Sequence, residues 1–160
     1  MKEIRLTQGK VALVDDVDFE EISKYKWYPL NSQLNHVCAF TCIKNKVNYM
    51  HRMIINAPIG TMVDHINGNP LDNQRANLRL CTNAQNQQNR KTKGKGKSDF
   101  RGLSFRKKWN TWEIHVRVNG RQTYIGSSKN EIEAAKLYDI AAIKFHGEYA
   151  STNFPRENYQ

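Results

Sequence analysis

Met62-Val63-Asp64-His65-Ile66, then Asn67-Gly68-Asn69-Pro70-Leu71-Asp72-Asn73, then Leu78-Arg79-Leu80-Cys81 and Thr82-Asn83-Ala84-Gln85-Asn86: the reading of this chain turns on these segments. The first is apolar around an Asp-His pair and reads as a strand. The second is dense in turn formers and belongs to a surface loop. Leu78 to Cys81 reads as the return strand. Thr82 with Gln85 three residues on has the form of a capping box, the threonine accepting from the backbone and the glutamine reaching back. A helix is thereby predicted to start at about Asn83, with Asn86 one turn in and facing the Asp-His strand. Asn77 lies twelve residues after His65, and Asn86 nine after Asn77.

Through these four positions, residues 51–90 resemble the HNH nuclease family, which implies hydrolysis of nucleic-acid phosphodiesters. The resemblance makes Asp64 and Asn86 the holders of a single divalent metal and His65 the general base. It makes Asn77 structural, tying the loop so that the imidazole is oriented. Residue chemistry agrees. A histidine of ordinary pKa, about 6.5, is mostly neutral near pH 7 and accepts a proton from water. One carboxylate, one amide oxygen, waters and phosphate oxygens suit Mg²⁺. The family name ends in histidine, whereas this chain has Asn86, so ligand hardness favours Mg²⁺ or Mn²⁺ over Zn²⁺. The metal would serve as Lewis acid and template, and the expected ends are 5′-phosphate and 3′-hydroxyl. His51-Arg52, read on the strand before the site, matches a His-Arg pair of similar proteins. Arg52 is a candidate phosphate clamp, and His51 is equally a framework histidine. Asp72 reads as a turn residue, Asn83 and Asn89 as contacts to the DNA backbone or as solvated. Asp15, Asp16 and Asp18 read as a solvated turn.

The chain has 160 residues and a formal charge of +10, with a pI near 9.6, which points to a polyanionic partner, here double-stranded DNA. Residues 90–160 carry fifteen Lys/Arg against seven Asp/Glu, so +8 of the +10 lies there. With no apolar run of 18 residues and no apolar signal core, the expectation is a cytoplasmic protein of a bacterial or phage-infected cell, without membrane contact. Cys38, Cys42 and Cys81 form no CxxC pair, so free buried thiols are expected and no structural zinc.

Before the motif, residues 10–14, 25–28, 36–41 and the start of 47–55 read as short strands, with a short acidic helix between the first two. Trp27, Tyr28, Phe19 and Phe40 supply bulk for a small core, and His36 reads as an exposed strand residue. After the motif comes a basic linker, 91–98, with Lys91, Lys93, Lys95 and Lys97. Glycine keeps it flexible and like charges extend it. It is a solvated spacer or an arm along phosphates.

The last 60 residues form a second module. Residues 100–106, 111–118 and 121–126 read as three antiparallel strands, the last two joined by Asn119-Gly120. A helix follows from Glu131 to His146, capped by Asn130 and closed by Gly147. Its face Ile132, Ala135, Tyr138, Ala142 and Phe145 is expected to cover the sheet. Phe100-Arg101-Gly102, Trp112, Ile114-His115-Val116-Arg117, Tyr124-Ile125-Gly126, Glu133-Ala134-Ala135, Tyr138-Asp139, Ala141-Ala142, Lys144-Phe145-His146-Gly147 and Asn153-Phe154-Pro155 give residues 98–155 a resemblance to the apetala-two/ethylene-response-factor DNA-binding domain. In that family the sheet face away from the helix enters the major groove. Strand alternation gives the same face independently: Ile114, Val116 and Val118 inward, Glu113, His115 and Arg117 outward, Ile125 in, Tyr124 and Gln122 out. Arg101, Ser104, Arg106, His115, Arg117, Gln122 and Tyr124 match the family's DNA-contacting set, with Arg101, Arg106 and Arg117 candidates for bidentate guanine contacts. Ser104 and Gln122 stand where the plant domains carry arginine, and His115 where they carry an acid, so sequence preference does not transfer.

The expected fold is α+β. A small β-rich scaffold leads into a ββα-metal unit at about 61–90, within a nuclease domain 1–90. Linker 91–98 follows, then a three-stranded sheet packed on one helix over 99–156. The expected function is a site-selective, homing-type DNA endonuclease that nicks, as a monomer or weak dimer. A DNA-binding regulator with a vestigial nuclease is the rival, and a restriction or repair nuclease a third reading.

Overall fold

The computed structural model describes residues 1–31, 37–90 and 97–159, which form two compact units, Met1–Asn86 and Gln87–Gln160. His36, Lys91, Lys93 and Lys95, singled out above, lie outside the described residues. The architecture mixes short helices with small antiparallel sheets, an α+β arrangement. Among the described residues no helix is long and apolar enough to cross a membrane.

In the first unit β1 (Lys2–Arg5) pairs with β2 (Val11–Val14), a hairpin whose inward positions Ile4, Ala12 and Val14 are buried. β1 was not anticipated. The acidic helix α1 (Asp16–Ile22) places Asp16 and Asp18 in its first turn, where carboxylates favour the positive end of the helix dipole. β3 (Tyr28–Asn31), β4 (Val37–Ile43) and β5 (Lys46–Tyr49) form a second antiparallel sheet. Trp27 anchors the core, 1% exposed, with its indole N–H donating to the Ile22 carbonyl at 2.8 Å. Around it pack Leu6, Ile22, Ala39, Met50, Ile54 and Leu78, with Phe19 at the margin. Tyr28 and Phe40 instead pair with each other across β3 and β4, ring centroids 5.7 Å apart.

The start of residues 47–55 is strand, as expected, but His51 and Arg52 do not lie on it. The chain leaves β5 at Tyr49 and turns into α2 (Met50–Ile54). As a strand, 50, 52 and 54 would share one face and carry Arg52 into the core with Met50 and Ile54. The helix buries Met50 and Ile54, four apart, and turns Arg52 away from them. β6 (Met62–His65), β7 (Leu78–Cys81) and α3 (Asn83–Asn89) follow in the anticipated order. The three cysteines are free, but none is fully buried: Cys38 and Cys81 are half-buried, and Cys42 is exposed because alternation along β4 turns its neighbour Thr41 inward.

In the second unit β8 (Leu103–Arg106), β9 (Thr111–Val118) and β10 (Arg121–Ser128) form an antiparallel sheet with β9 central. Asn119 and Gly120 both take positive φ, as a tight hairpin turn requires. Across one face of the sheet lies α4 (Glu131–His146), whose Asn130 side chain accepts from the backbone N–H of Ile132 and Glu133. Its buried face is Ala134, Ala135, Tyr138, Asp139, Ala141, Ala142 and His146. Ile132 and Phe145, expected on that face, are 54% and 45% exposed. They sit near the two ends of the helix, and the small alanines between them make the close contact with the strands.

Candidate nuclease and nucleic-acid surfaces

β6 and β7 are antiparallel, with His65 opposite Leu78 and Asp64 opposite Arg79. Opposed residues share a face, so register alone sets a guanidinium beside the carboxylate. Arg79 donates from Nε and Nη2 to Asp64 Oδ2 at 2.9 and 2.8 Å, with both side chains nearly buried, 10% and 5% exposed. A buried carboxylate needs such a counter-charge. Nothing local in the sequence marks this pairing, and Arg79 was not singled out.

The loop between these strands is fastened by its own amides. The Asn77 side chain accepts from the Asn67 backbone N–H at 2.9 Å and donates to the Asp72 carbonyl at 2.8 Å. Asn69 N–H donates to the Asn67 side chain, Leu71 N–H to the Asn69 side chain, and Asn67 Nδ2 to Asp72. Asp72 is thus a turn residue. The scaffold holds the loop from outside as well. Leu13 on β2 exchanges backbone hydrogen bonds with Leu71 and Asn73, both 2.8 Å. Asp15 accepts from the Arg75 N–H, and Asp18 takes Arg75 Nε and Nη2 at 2.8 and 2.7 Å. Asp15 and Asp18 are therefore not merely solvated: they dock this loop. Asp16 pairs with the terminal amine of Met1.

Asn73, also not singled out, is fully buried, and its Oδ1 lies 3.4 Å from His65 Nε2. Its Nδ2 has no hydrogen-bond partner among the described residues. His65 is 9% exposed, and burial lowers its pKa below the ordinary histidine value, against upward pulls from Asn73, Asp64 and Asp72. The His51 ring meets the His65 ring edge-on at 5.2 Å and stacks on Tyr49 at 5.6 Å. Burial first, then the nearby His65 and Arg52, depresses the His51 pKa to about 3. His51 is a framework residue. Arg52 is no open phosphate clamp: its guanidinium donates to the carbonyls of Thr61, Ala57 and Pro58 at 2.6, 3.3 and 2.7 Å, bracing the turn before β6.

The capping box forms reciprocally, Thr82 N–H to Gln85 Oε1 at 2.8 Å and Gln85 N–H to Thr82 Oγ1 at 3.2 Å. Asn86 is the fourth residue of α3, half-buried, with its backbone N–H on the Thr82 carbonyl. Asn83 is exposed, whereas Asn89 is buried. Among the described residues no group of three or more His, Cys, Asp and Glu could hold a metal. The acidic carboxylate of Asp64 and the amide of Asn86 are both hard oxygen donors, which fit a hard cation completed by water and phosphate oxygens.

On the second unit, pairing sets Gln122 opposite Arg117, Tyr124 opposite His115 and Ser104 opposite Glu113, all on the sheet face away from α4. Arg117, Gln122 and Ser104 are exposed and Tyr124 is 57% exposed. Arg106 shares this face but its Nε pairs with Glu113 at 2.8 Å, an acid on the same surface that was not counted. His115 lies edge-on to Tyr124 at 5.6 Å. Arg101 does not join the group. It precedes β8, and its Nη1 donates to the carbonyls of Arg90 and Gln88 at 2.6 and 3.2 Å, closing the last turn of α3. Lys97 rests its ammonium 3.8 Å above the Phe105 ring.

Comparison with known proteins bears on the two units differently. Residues 49–88 match the model of a family described as HNH endonuclease. An uncharacterised HNH endonuclease of Acanthamoeba polyphaga mimivirus is 32% identical over 149 residues, 91% of this chain and 76% of that protein. APETALA2-like protein 2 of Oryza sativa subsp. indica is 40% identical over 63 residues, 39% of this chain but 14% of the plant protein. The AP2-like ethylene-responsive transcription factor ANT of Arabidopsis thaliana is 37% identical over 79 residues, 43% of this chain and again 14% of its own length.

Proposed function

The chain belongs to the HNH endonuclease family and is a nuclease, and from that premise we propose that it hydrolyses phosphodiesters of double-stranded DNA at selected sites. In this reading β6, β7 and α3 are the ββα-metal unit, and the sheet of the second unit is an apetala-two-like module that reads the duplex. One site per chain gives a nick in one strand, in the manner of homing-type enzymes.

The observation that carries the chemistry is a buried, neutral His65 adjacent in sequence to a buried, ionically paired Asp64, on a strand whose following loop is laced to Asn77. The tautomer that donates from Nε2 to Asn73 carries its basic lone pair on Nδ1, and that nitrogen takes the proton from the attacking water. Depression of the pKa by burial keeps the ring unprotonated at neutral pH, so it is ready to accept. Asn77 holds the loop, and through it the imidazole, in one orientation. Asp64 and Asn86 would hold Mg²⁺, with Mn²⁺ able to substitute, and the cation would supply positive charge at the phosphate and the departing 3′-oxygen. Arg117, Gln122, Tyr124 and Ser104 offer two hydroxyls, an amide and a guanidinium to base edges and phosphates, with Arg117 suited to guanine.

Plasmid relaxation with purified protein and Mg²⁺ tests the reading. Cutting should vanish in His65→Ala while DNA affinity stays within about twofold of wild type. Sequencing the new ends would show 5′-phosphates on one strand at recurring sites. Cutting by His65→Ala at the wild-type rate would overturn the assignment.

A further inference from the structure

α4 has a second face. Opposite the alanines that meet the sheet, Glu133, Leu137, Ile140 and Lys144 follow one another at intervals of four, three and four, within a band roughly 60° wide on a helix of 3.6 residues per turn. All four are exposed, Leu137 by 43% and Ile140 by 53%. The stripe runs acid, aliphatic, aliphatic, base. Reversed, it runs base, aliphatic, aliphatic, acid. An identical helix laid antiparallel, with a two-fold axis midway between Tyr138 and Asp139, therefore sets Leu137 against Ile140 of the second copy and Glu133 against its Lys144, twice over by symmetry. Self-complementarity of this kind is what a two-fold interface requires of a single patch.

We propose that this stripe is a dimer interface and that its occupant is α4 of a second copy of this chain. Since Ser104, Arg117, Gln122 and Tyr124 lie on the sheet face away from α4, the dimer sets two such faces on opposite outer sides. It then holds two duplexes at once. That last step rests on the DNA-reading role given above, whereas the interface itself does not.

Sedimentation velocity of the full chain from about 1 to about 300 µM tests the interface. The wild type should pass from monomer to dimer across this range. Leu137→Glu should remain monomeric, and Lys144→Glu should weaken association at least tenfold. Glu133 also accepts from Ser128 Oγ at 2.8 Å, so its variant is used in mixtures with its fold checked by circular dichroism. Glu133→Lys chains and Lys144→Glu chains should each self-associate at least tenfold more weakly than the wild type, yet pair when mixed, because each then meets opposite charge at both ends. Should Glu133→Lys not fold, Leu137→Glu and Lys144→Glu carry the test. A wild type monomeric throughout, or a dimer of unchanged strength in both variants, overturns the proposal. With EDTA present, the wild type should capture a fluorescent random-sequence duplex on a biotinylated one, and Leu137→Glu should bind each duplex alone but no longer join them. A chain that dimerises through the stripe but binds neither duplex would sink the DNA-reading role and leave the interface standing.

Discussion

Asp64 and His65 are neighbours with opposite electrostatic needs, and each is met by a residue far along the chain. The acid is buried as a charge and has Arg79 across the strand pair. The imidazole is buried neutral beside Asn73 and the half-buried His51. His51 makes the neutral state consequential. Its folded pKa is about 3, against about 6.5 when unfolded. Below pH 6.5 the unfolded chain binds a proton that the folded chain refuses, so stability is full above that value and falls as pH drops toward 3. Urea unfolding at a series of pH values should show His51→Phe gaining on the wild type as acid is added, by about 3 kcal/mol near pH 4; a gap that stays constant with pH would contradict this burial. At this scale the sequence is legible where placement is local: Asp64 and His65 on a strand, Asn77 tying the loop and Asn86 one turn into a helix. It is silent where a role depends on register or a distant carbonyl. Arg79 reaches its partner only through strand pairing, and Arg52 and Arg101, which look like phosphate or base contacts, turn out to brace backbone. Asn73 gave no signal among so many loop asparagines.

Helices and turns defined by their own caps were readable in advance, because the information is local. Thr82 with Gln85, Asn130 and Asn119-Gly120 each specify their hydrogen bonds within a few residues. α2 was not readable, since five residues with apolar positions at 50 and 54 satisfy strand and helix alike until the fate of Arg52 decides. Gly102 illustrates how an element depends on one atom that is missing. It has φ +83°, and a Cβ there would overlap the Tyr138 ring on α4 and lie 2.9 Å from the His115 carbonyl oxygen. Gly102→Ala should therefore destabilise the second unit by roughly 3 kcal/mol or more, since strained φ and a clash with a packed ring add. Gly120 has φ +78° but nothing within 4 Å of its would-be Cβ, so Gly120→Ala should cost only about 1 kcal/mol. Thermal unfolding of the pair checks this; equal losses would mean that the contact with Tyr138 is not tight.

For the whole molecule the uneven charge is the governing quantity. With +8 of the +10 beyond residue 89, the proposed function assigns most phosphate neutralisation to that part of the chain. If about six phosphates are covered, log K should fall with log salt at a slope of about −5. Deleting residues 91–160 should leave a shallow slope and scattered cutting, measured by filter binding and end sequencing; an unaltered cleavage pattern would contradict the division of labour. The two halves are nevertheless not interchangeable cassettes. The division between compact units falls between Asn86 and Gln87, inside the seven residues of α3, whose final carbonyls are capped by Arg101. A recombination crossover placed at that division would sever a helical turn immediately after Asn86. A different C-terminal segment spliced on beyond Arg90 would have to bring its own plug for the carbonyls that Arg101 now holds.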